Sequence, residues 1–557
     1  MFCYHCQEAK KNIACDSAGI CGKKEDVASL QDLLVYVLKG LSFYAHKARQ
    51  LGISDARTDR FTARALYSTV TNVNFDPTVF VSLIQEAVQR KNHLCHRFTA
   101  AFEAQNGVAF SEPVPDEAAW QYTDVSEAAF VAQGETAGVM QIPALDDDCH
   151  ALRELLVYGL KGLASLIEHA EALDFSDAEL YAFLHEALAF SLKTDSPLDE
   201  LMAMTLKCGE HGLAAFAQLD KANTARFGAP VPTKVYFDSW DKPGILVSGH
   251  DLRDIEDLLE QTAGTGIDVY THGEAIAAHA YPALKKYFNL AGNFGDAWQE
   301  QRTDFQKFNG PILITTNSIQ QQKGNYKDKI YTTGMVGWPD IPHIADRRPG
   351  QRKDFTPLIE QARQCEPPSQ LSDNTTTLGY AHQSLHSYLN QIAAGIQDGA
   401  IRRLIVLAGT DGRHKERRYY TQFAEALPQD TLILTAGDTK YRFNTLSLGD
   451  INGIPRLLDA GQSNDFYSLL VFLKDLQQTL GLDDLNALPV SFSIAWYEQK
   501  TILMLLALLA LNIKHVRLGP TLPPFFTDTV KDRLTEQFAL KGIDTVENDV
   551  AAMMEGH

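Results

Sequence analysis

The sequence predicts an α + α/β multidomain fold, with a helical N-terminal domain of two repeated bundles followed by two parallel α/β domains. Three observations predict it. The segment LQDLLVYVLKGL (residues 30–41) returns as LRELLVYGLKGL (residues 152–163). After Pro230, short β-rich runs alternate with helical stretches, the pattern of parallel α/β units. The chain has 557 residues, long for a single hydrophobic core.

The first 23 residues, MFCYHCQEAKKNIACDSAGICGK, hold four of the eight cysteines: Cys3, Cys6, Cys15 and Cys21. No charged leader followed by an apolar stretch precedes Cys3 and His5, so a non-exported, cytoplasmic protein with reduced thiols is expected. The spacing C-x2-C-x8-C-x5-C then reads as a metal-binding pattern. Four soft thiolates suit an iron–sulfur cluster or a structural zinc, and the x5 gap strains the zinc rule. Cys95, Cys149, Cys208 and Cys365 are scattered and read as ordinary core or surface thiols.

From residue 30 to about 229 the pattern is helical, with Leu30, Leu33, Leu34, Val37, Leu38 and Leu41 on one amphipathic face. The shared Val-Tyr and Lys-Gly-Leu details make the repeat two similar bundles, one after the other. Next come GILVSGH, DVYTHGE, PILITTN, LIVLAGT, TLILTAGD and PVSFSIAWYE, each read as a strand. The polar, proline-containing stretch 365–376 is the expected linker, giving domains at 1–230, 231–370 and 371–557. The longest apolar run, 502–511, is too short to span a bilayer and reads as a buried helix.

The strand ends carry chemistry: His250, Glu274, Asn317-Ser318, Thr410, Asp438 and Glu498. Ligands of open parallel sheets bind beyond the carboxyl ends of the strands, so these ends predict one shared pocket. Each residue alone would read as a helix N-cap. The hydrophobic fraction of 45% and charged fraction of 22% are those of a globular protein. A net charge of −20 argues against nucleic acid or an anionic membrane as main partner. Arg347-Arg348 and Arg413-His414-Lys415 read as solvated surface or intramolecular pairs.

Longer motifs add a resemblance. The cysteine run with LQDLL, SGHDLRDIE, VYTHGE with AHAYP, GNFGDAW, GPILITTN, KIYTTG, AGTDGRHK, TKYRFN, GIPRLLDAGQSND, AWYEQK and RLGPTLP occur in this order along the chain. In this the chain resembles the hybrid cluster proteins, also called prismane proteins and often named hydroxylamine reductases. The resemblance implies two Rossmann-like domains behind the helical one, and a [4Fe-4S] cluster on Cys3, Cys6, Cys15 and Cys21. It also implies a second iron–sulfur–oxygen cluster where the three domains meet, reducing hydroxylamine to ammonia, or nitric oxide. Electrons would come from a ferredoxin- or flavoprotein-like donor protein.

The family's second cluster is held by one histidine, two glutamates and four cysteines. His250, Glu274 and Glu498 match the first three, but Ser318, Thr410, Asp438 and Ser463 stand where the cysteines belong. Without thiolates the usual hybrid cluster is not expected to assemble. His250, Glu274, Asp438 and Glu498 form a donor set suited to Fe(II) or Mn(II), including a dinuclear carboxylate site. Ser318, Thr410 and Ser463 would then hydrogen-bond a bound group. A metal-free pocket and an atypical cluster are the alternatives.

Three functions follow. The first is a redox enzyme reducing a small nitrogen or oxygen species, with Glu498, Glu274, His250 and Lys500 catalytic and Lys500 or His279 a proton donor. The second is a non-catalytic redox or metabolite sensor. The third is the family's hydroxylamine reductase activity.

Overall fold

Helix lengths make the repeat visible. In the computed structural model, which describes residues 2–138, 146–348 and 350–557, α1 (Glu25–Gln50), α2 (Ala56–Ser68) and α3 (Pro77–Asn106) have 26, 13 and 30 residues. Two short helices, α4 (Asp116–Ala119) and α5 (Glu127–Ala137), follow. Then α6 (Asp147–Glu171), α7 (Ala178–Phe190) and α8 (Leu198–Phe227) have 25, 13 and 30. The capping repeats too: Asp55 accepts from Arg57 N and Asp177 from Glu179 N, at the starts of α2 and α7.

The two units are interlocked rather than simply consecutive, which refines the sequence expectation. The short helix of each packs mainly on the first helix of the other, α7 on α1 and α2 on α6. Hydrophobic periodicity marks which face is buried but not which partner buries it. The repeated Lys-Gly is explained by close backbone approach. A Cβ on Gly40 would lie 2.1 Å from Glu117 O, and one on Gly162 would lie 2.8 Å from Gln499 O.

Both α/β domains have the same sheet. The first runs Leu290–Asn293, Asp268–His272, Gly244–Ser248, Ile312–Ile314, Ile330–Thr333 and His343–Ile344. The second runs Leu457–Asp459, Thr431–Thr435, Arg403–Gly409, Val490–Ala495, Arg517–Gly519 and Lys541–Gly542. All neighbouring strands are parallel. Numbered within its own domain, each sheet has the doubly wound order 3-2-1-4-5-6, with the switch point between its first and fourth strands. The central strands are buried along their length, which is why they read as unbroken apolar runs.

Part of the expected linker is itself structured. Thr375–Leu378 pairs antiparallel with Thr233–Tyr236, strapping the start of the third segment to the start of the second. The helix Gln499–Ala510 is buried against α6 and α8, as its apolar run predicts. Among the described residues no helix is long and apolar enough to cross a membrane.

Candidate functional site

The two switch points face each other and make one buried site. From the first sheet come His250, Glu274 and Asn317-Ser318; from the second come Thr410, Asp438 and Glu498. All of them line a common cavity of about 10 Å³, room for roughly one water. Ser463, following the third strand of the second sheet, reaches the same group by hydrogen bonds. The residues named from sequence at the six strand ends thus lie together around the cavity.

Glycine sets these turns. Gly249, Gly273, Gly409 and Gly437 each precede a site residue and have positive φ. A Cβ on Gly409 would lie 2.2 Å from Ala495 O, so only glycine lets Thr410 turn in at the switch point. Glu498 is a helix cap as well as a site residue. Its Oε2 accepts from Lys500 N at 2.9 Å, while its buried Oε1 has no partner.

His250 Nδ1–H donates to Thr316 O at 2.7 Å, which turns Nε2 inward. Glu274 Oε2 is 2.7 Å from that nitrogen, and Lys500 Nζ is 2.9 Å from it. Glu274 Oε2 also accepts from Ser463 N at 2.7 Å and Ser463 Oγ at 2.8 Å. Gln462 Nε2 donates to the carbonyls of His250 and Glu274, stitching the two α/β domains together. Thr410 Oγ1 pairs with Thr501 Oγ1 at 2.9 Å.

Burial would raise the Glu274 carboxyl, but His250 and Lys500 beside it hold it well below the usual carboxylate range. Burial, and next the Glu274 and Asp411 charges, push Asp438 well above that range. Burial also raises Glu498, against the pull of Lys500. Four buried oxygens around the cavity lack a hydrogen-bond partner among the described residues: Glu274 Oε1, Asp438 Oδ1, Glu498 Oε1 and Asn317 Oδ1. His279 lies off the cavity lining, bonded to Thr271 Oγ1 at 3.0 Å, and burial lowers it to about 4. That position does not suit the proton-donor role considered from sequence.

The N-terminal cysteines lie near one another in a loop beside the cavity. Cys3 and Cys15 are bridged by Cys15 N donating to Cys3 O at 2.7 Å, and all four thiols are free. Burial, and then the nearby sulfurs of Cys21, Cys3 and Cys15, push the Cys6 thiol well above its usual range. Lys23 Nζ lies 3.8 Å from Cys3 Sγ. Sequence reasoning missed what joins that loop to the cavity. Gln7 N donates to Tyr497 O at 3.0 Å, and Gln499 Nε2 donates to His5 O at 2.8 Å, so the cysteine loop flanks Glu498 on both sides. The Tyr497 ring stacks at 4.5 Å on Trp298, and both line the cavity. The only sequence signal was the adjacency of Tyr497 to Glu498 in AWYEQK.

Comparison with known proteins places the chain. It matches the Prismane/CO dehydrogenase family over residues 1–551. The chain belongs to that family. It is 50% identical over 556 residues to a protein named hydroxylamine reductase from Halothermothrix orenii, with 100% of both chains covered. It is 47% identical over 558 residues to another of that name from Nitratidesulfovibrio vulgaris, again with 100% of both covered. The fold resembles carbon monoxide dehydrogenase IV from Carboxydothermus hydrogenoformans, at TM-score 0.54 and 14% identity, over 100% of this chain and 92% of that one. A prismane-family chain is an iron–sulfur redox protein, and the four N-terminal thiols are donors of the right softness, though as placed no three of them gather around one ion.

The donors that line the buried cavity are oxygen and nitrogen. No cysteine lines it, so it does not fit a sulfur-rich cluster. Its imidazole and unpartnered carboxylate oxygens suit a hard or borderline cation in chemistry. As placed, however, no three His, Cys, Asp or Glu side chains among the described residues gather around one ion. His250 and Glu274 meet each other instead, with Lys500 against them.

Proposed function

We propose that the chain is an iron–sulfur oxidoreductase whose N-terminal [4Fe-4S] cluster, on Cys3, Cys6, Cys15 and Cys21, feeds electrons to a remodelled O/N-ligated site at the domain junction. There a small nitrogen or oxygen species is reduced. The observation that carries this reading is the four unpartnered buried oxygens around one cavity bonded to the cysteine loop. The cluster would supply single electrons, and an iron or other hard metal held by His250, Glu274, Asp438 and Glu498 would supply a redox centre.

The chain's own groups do the rest. A cavity this small, with room for about one water, admits only the smallest species and excludes bulk water. Lys500 Nζ carries protons within reach of anything bound at His250 Nε2. The names of its relatives make hydroxylamine the first substrate to test, a reduction that takes up two electrons and two protons and yields ammonia and water. A donor protein of ferredoxin or flavoprotein type would deliver the electrons.

The test is metal and sulfide analysis with electron paramagnetic resonance on anaerobically prepared protein and on Asp438→Ala. Metal beyond that of the N-terminal cluster, lost in Asp438→Ala while the cluster signal stays, is the expected result. Metal at the cluster alone would sink the second site. One observation favours a second reading, a metal-free pocket serving a redox sensor: Lys500 already stands as the cation of the site.

A further inference from the structure

A much larger cleft, about 740 Å³, opens on the far side of His250. It lies among α2, α3, α6 and α8 of the helical domain, the helix Leu252–Thr262, and the loops around Met335 and Arg348. The wall between the cleft and the buried cavity is one residue thick. His250 lines both; Thr316 lines the cleft while its neighbours Asn317 and Ser318 line the cavity. Gln462 and Asn464 line the cleft, and Ser463 between them bonds to Glu274.

The charges of the cleft are unevenly matched. Every carboxylate in its lining has an Arg, Lys or His partner, from Glu86 with Arg90 at 2.6 Å to Asp254 with Lys353 at 2.9 Å. Arg57 and Arg348, both exposed, have no ion-pair partner among the described residues. Two unpaired guanidinium groups therefore stand on a chain of net charge −20, at a cleft floored by a proposed metal ligand. A guanidinium presents a planar fork of donors that matches oxyanions. A local basic mouth also offsets the repulsion an anion meets from the rest of the surface.

We propose that this cleft is an antechamber that attracts a small inorganic oxyanion through the unpaired Arg57 and Arg348 and hands it past His250 to the buried cavity. The proposal rests on the reading of that cavity as the reducing site, and it adds small oxyanions to neutral hydroxylamine as candidate substrates. Arg64, held by Glu168 and Asp346, stands deeper along the same wall. Burial pushes Glu168 up to about 7, while Asp346 beside Arg64 is held low and keeps it paired.

The test uses the anaerobically purified full chain with inorganic nitrite as probe and chloride at matched ionic strength as reference. Calorimetric titration is expected to show saturable binding, weakened about a hundredfold in R57A/R348A, since each guanidinium–oxyanion contact carries about a factor of ten. Because both variants are exposed, their folding is checked by iron content. A second measurement needs no variant: nitrite is expected to slow phenylglyoxal labelling of Arg57 and Arg348, mapped by mass spectrometry. No saturable binding, equal affinity in the double variant, or labelling indifferent to nitrite would each overturn the antechamber. Absence of second-site metal with nitrite binding intact would instead overturn the reducing-site reading alone.

Discussion

Glu274 is the tie between the two α/β domains, and Glu274→Gln tests it. The carboxylate sits on the first sheet, and its Oε2 receives Ser463 N at 2.7 Å and Ser463 Oγ at 2.8 Å from the second, with His250 Nε2 at 2.7 Å. Glutamine keeps the size and one acceptor oxygen but removes the charge. A hydrogen bond to a charged group contributes roughly 1.5–3 kcal/mol and a neutral one roughly 1. Across these contacts the loss is about 3 kcal/mol, or a factor of about 100 in local opening. Hydrogen–deuterium exchange of the segment 457–466 reads that opening directly, because the Ser463 amide is one of the bonded groups. Faster exchange there by about that factor is expected, with exchange in α3 unchanged. A change of less than about threefold would refute the reasoning. The sign with pH follows from the lowered Glu274 carboxyl: the tie is complete above the ordinary carboxylate range and is lost as pH falls through the depressed value.

Three further outcomes are expected. Replacing Cys6 or Cys21 by serine should abolish the visible iron–sulfur absorption and leave the helical far-ultraviolet signal, since the fold around them rests on α1 and α6. Gly409→Ala forces a Cβ to 2.2 Å from Ala495 O at φ +116°, and should destabilise by about 2–3 kcal/mol or more, measured as a lowered urea midpoint. Burial lowers His279 from 6.5 to about 4, so the unfolded chain takes up its proton first and wild type should lose up to about 3 kcal/mol as pH falls from 6.5 to 4. His279→Asn should flatten that slope, and urea midpoints at a series of pH values check it.

Much of the fold was legible because periodicity and strand chemistry are local. The repeat in residues 30–41 and 152–163 announced two matching units, and six short runs announced the strands that lead into His250, Glu274, Asn317-Ser318, Thr410, Asp438 and Glu498. The glycines at positive φ before four site residues were a further signal in the sequence, since a strand ending in Gly followed by a polar residue marks a tight turn into a site. The interlocking of α2 with α6 and α7 with α1 was not legible, because an amphipathic face does not name its partner.

By itself the sequence determined the donor atoms: four thiols at the N-terminus, and the imidazole of His250 with the carboxylates of Glu274, Asp438 and Glu498 at the strand ends. Composition cannot say where those donors point. Only the tertiary structure decided that Lys500 stands 2.9 Å from His250, that Glu274 is engaged by Ser463 from another domain, and that Tyr497 lies between the cysteine loop and the cavity. These are contacts between residues tens to hundreds of positions apart, set by two sheets docking switch point to switch point. The Arg-rimmed cleft is of the same kind, because whether an arginine is paired depends on the neighbours that packing brings to it.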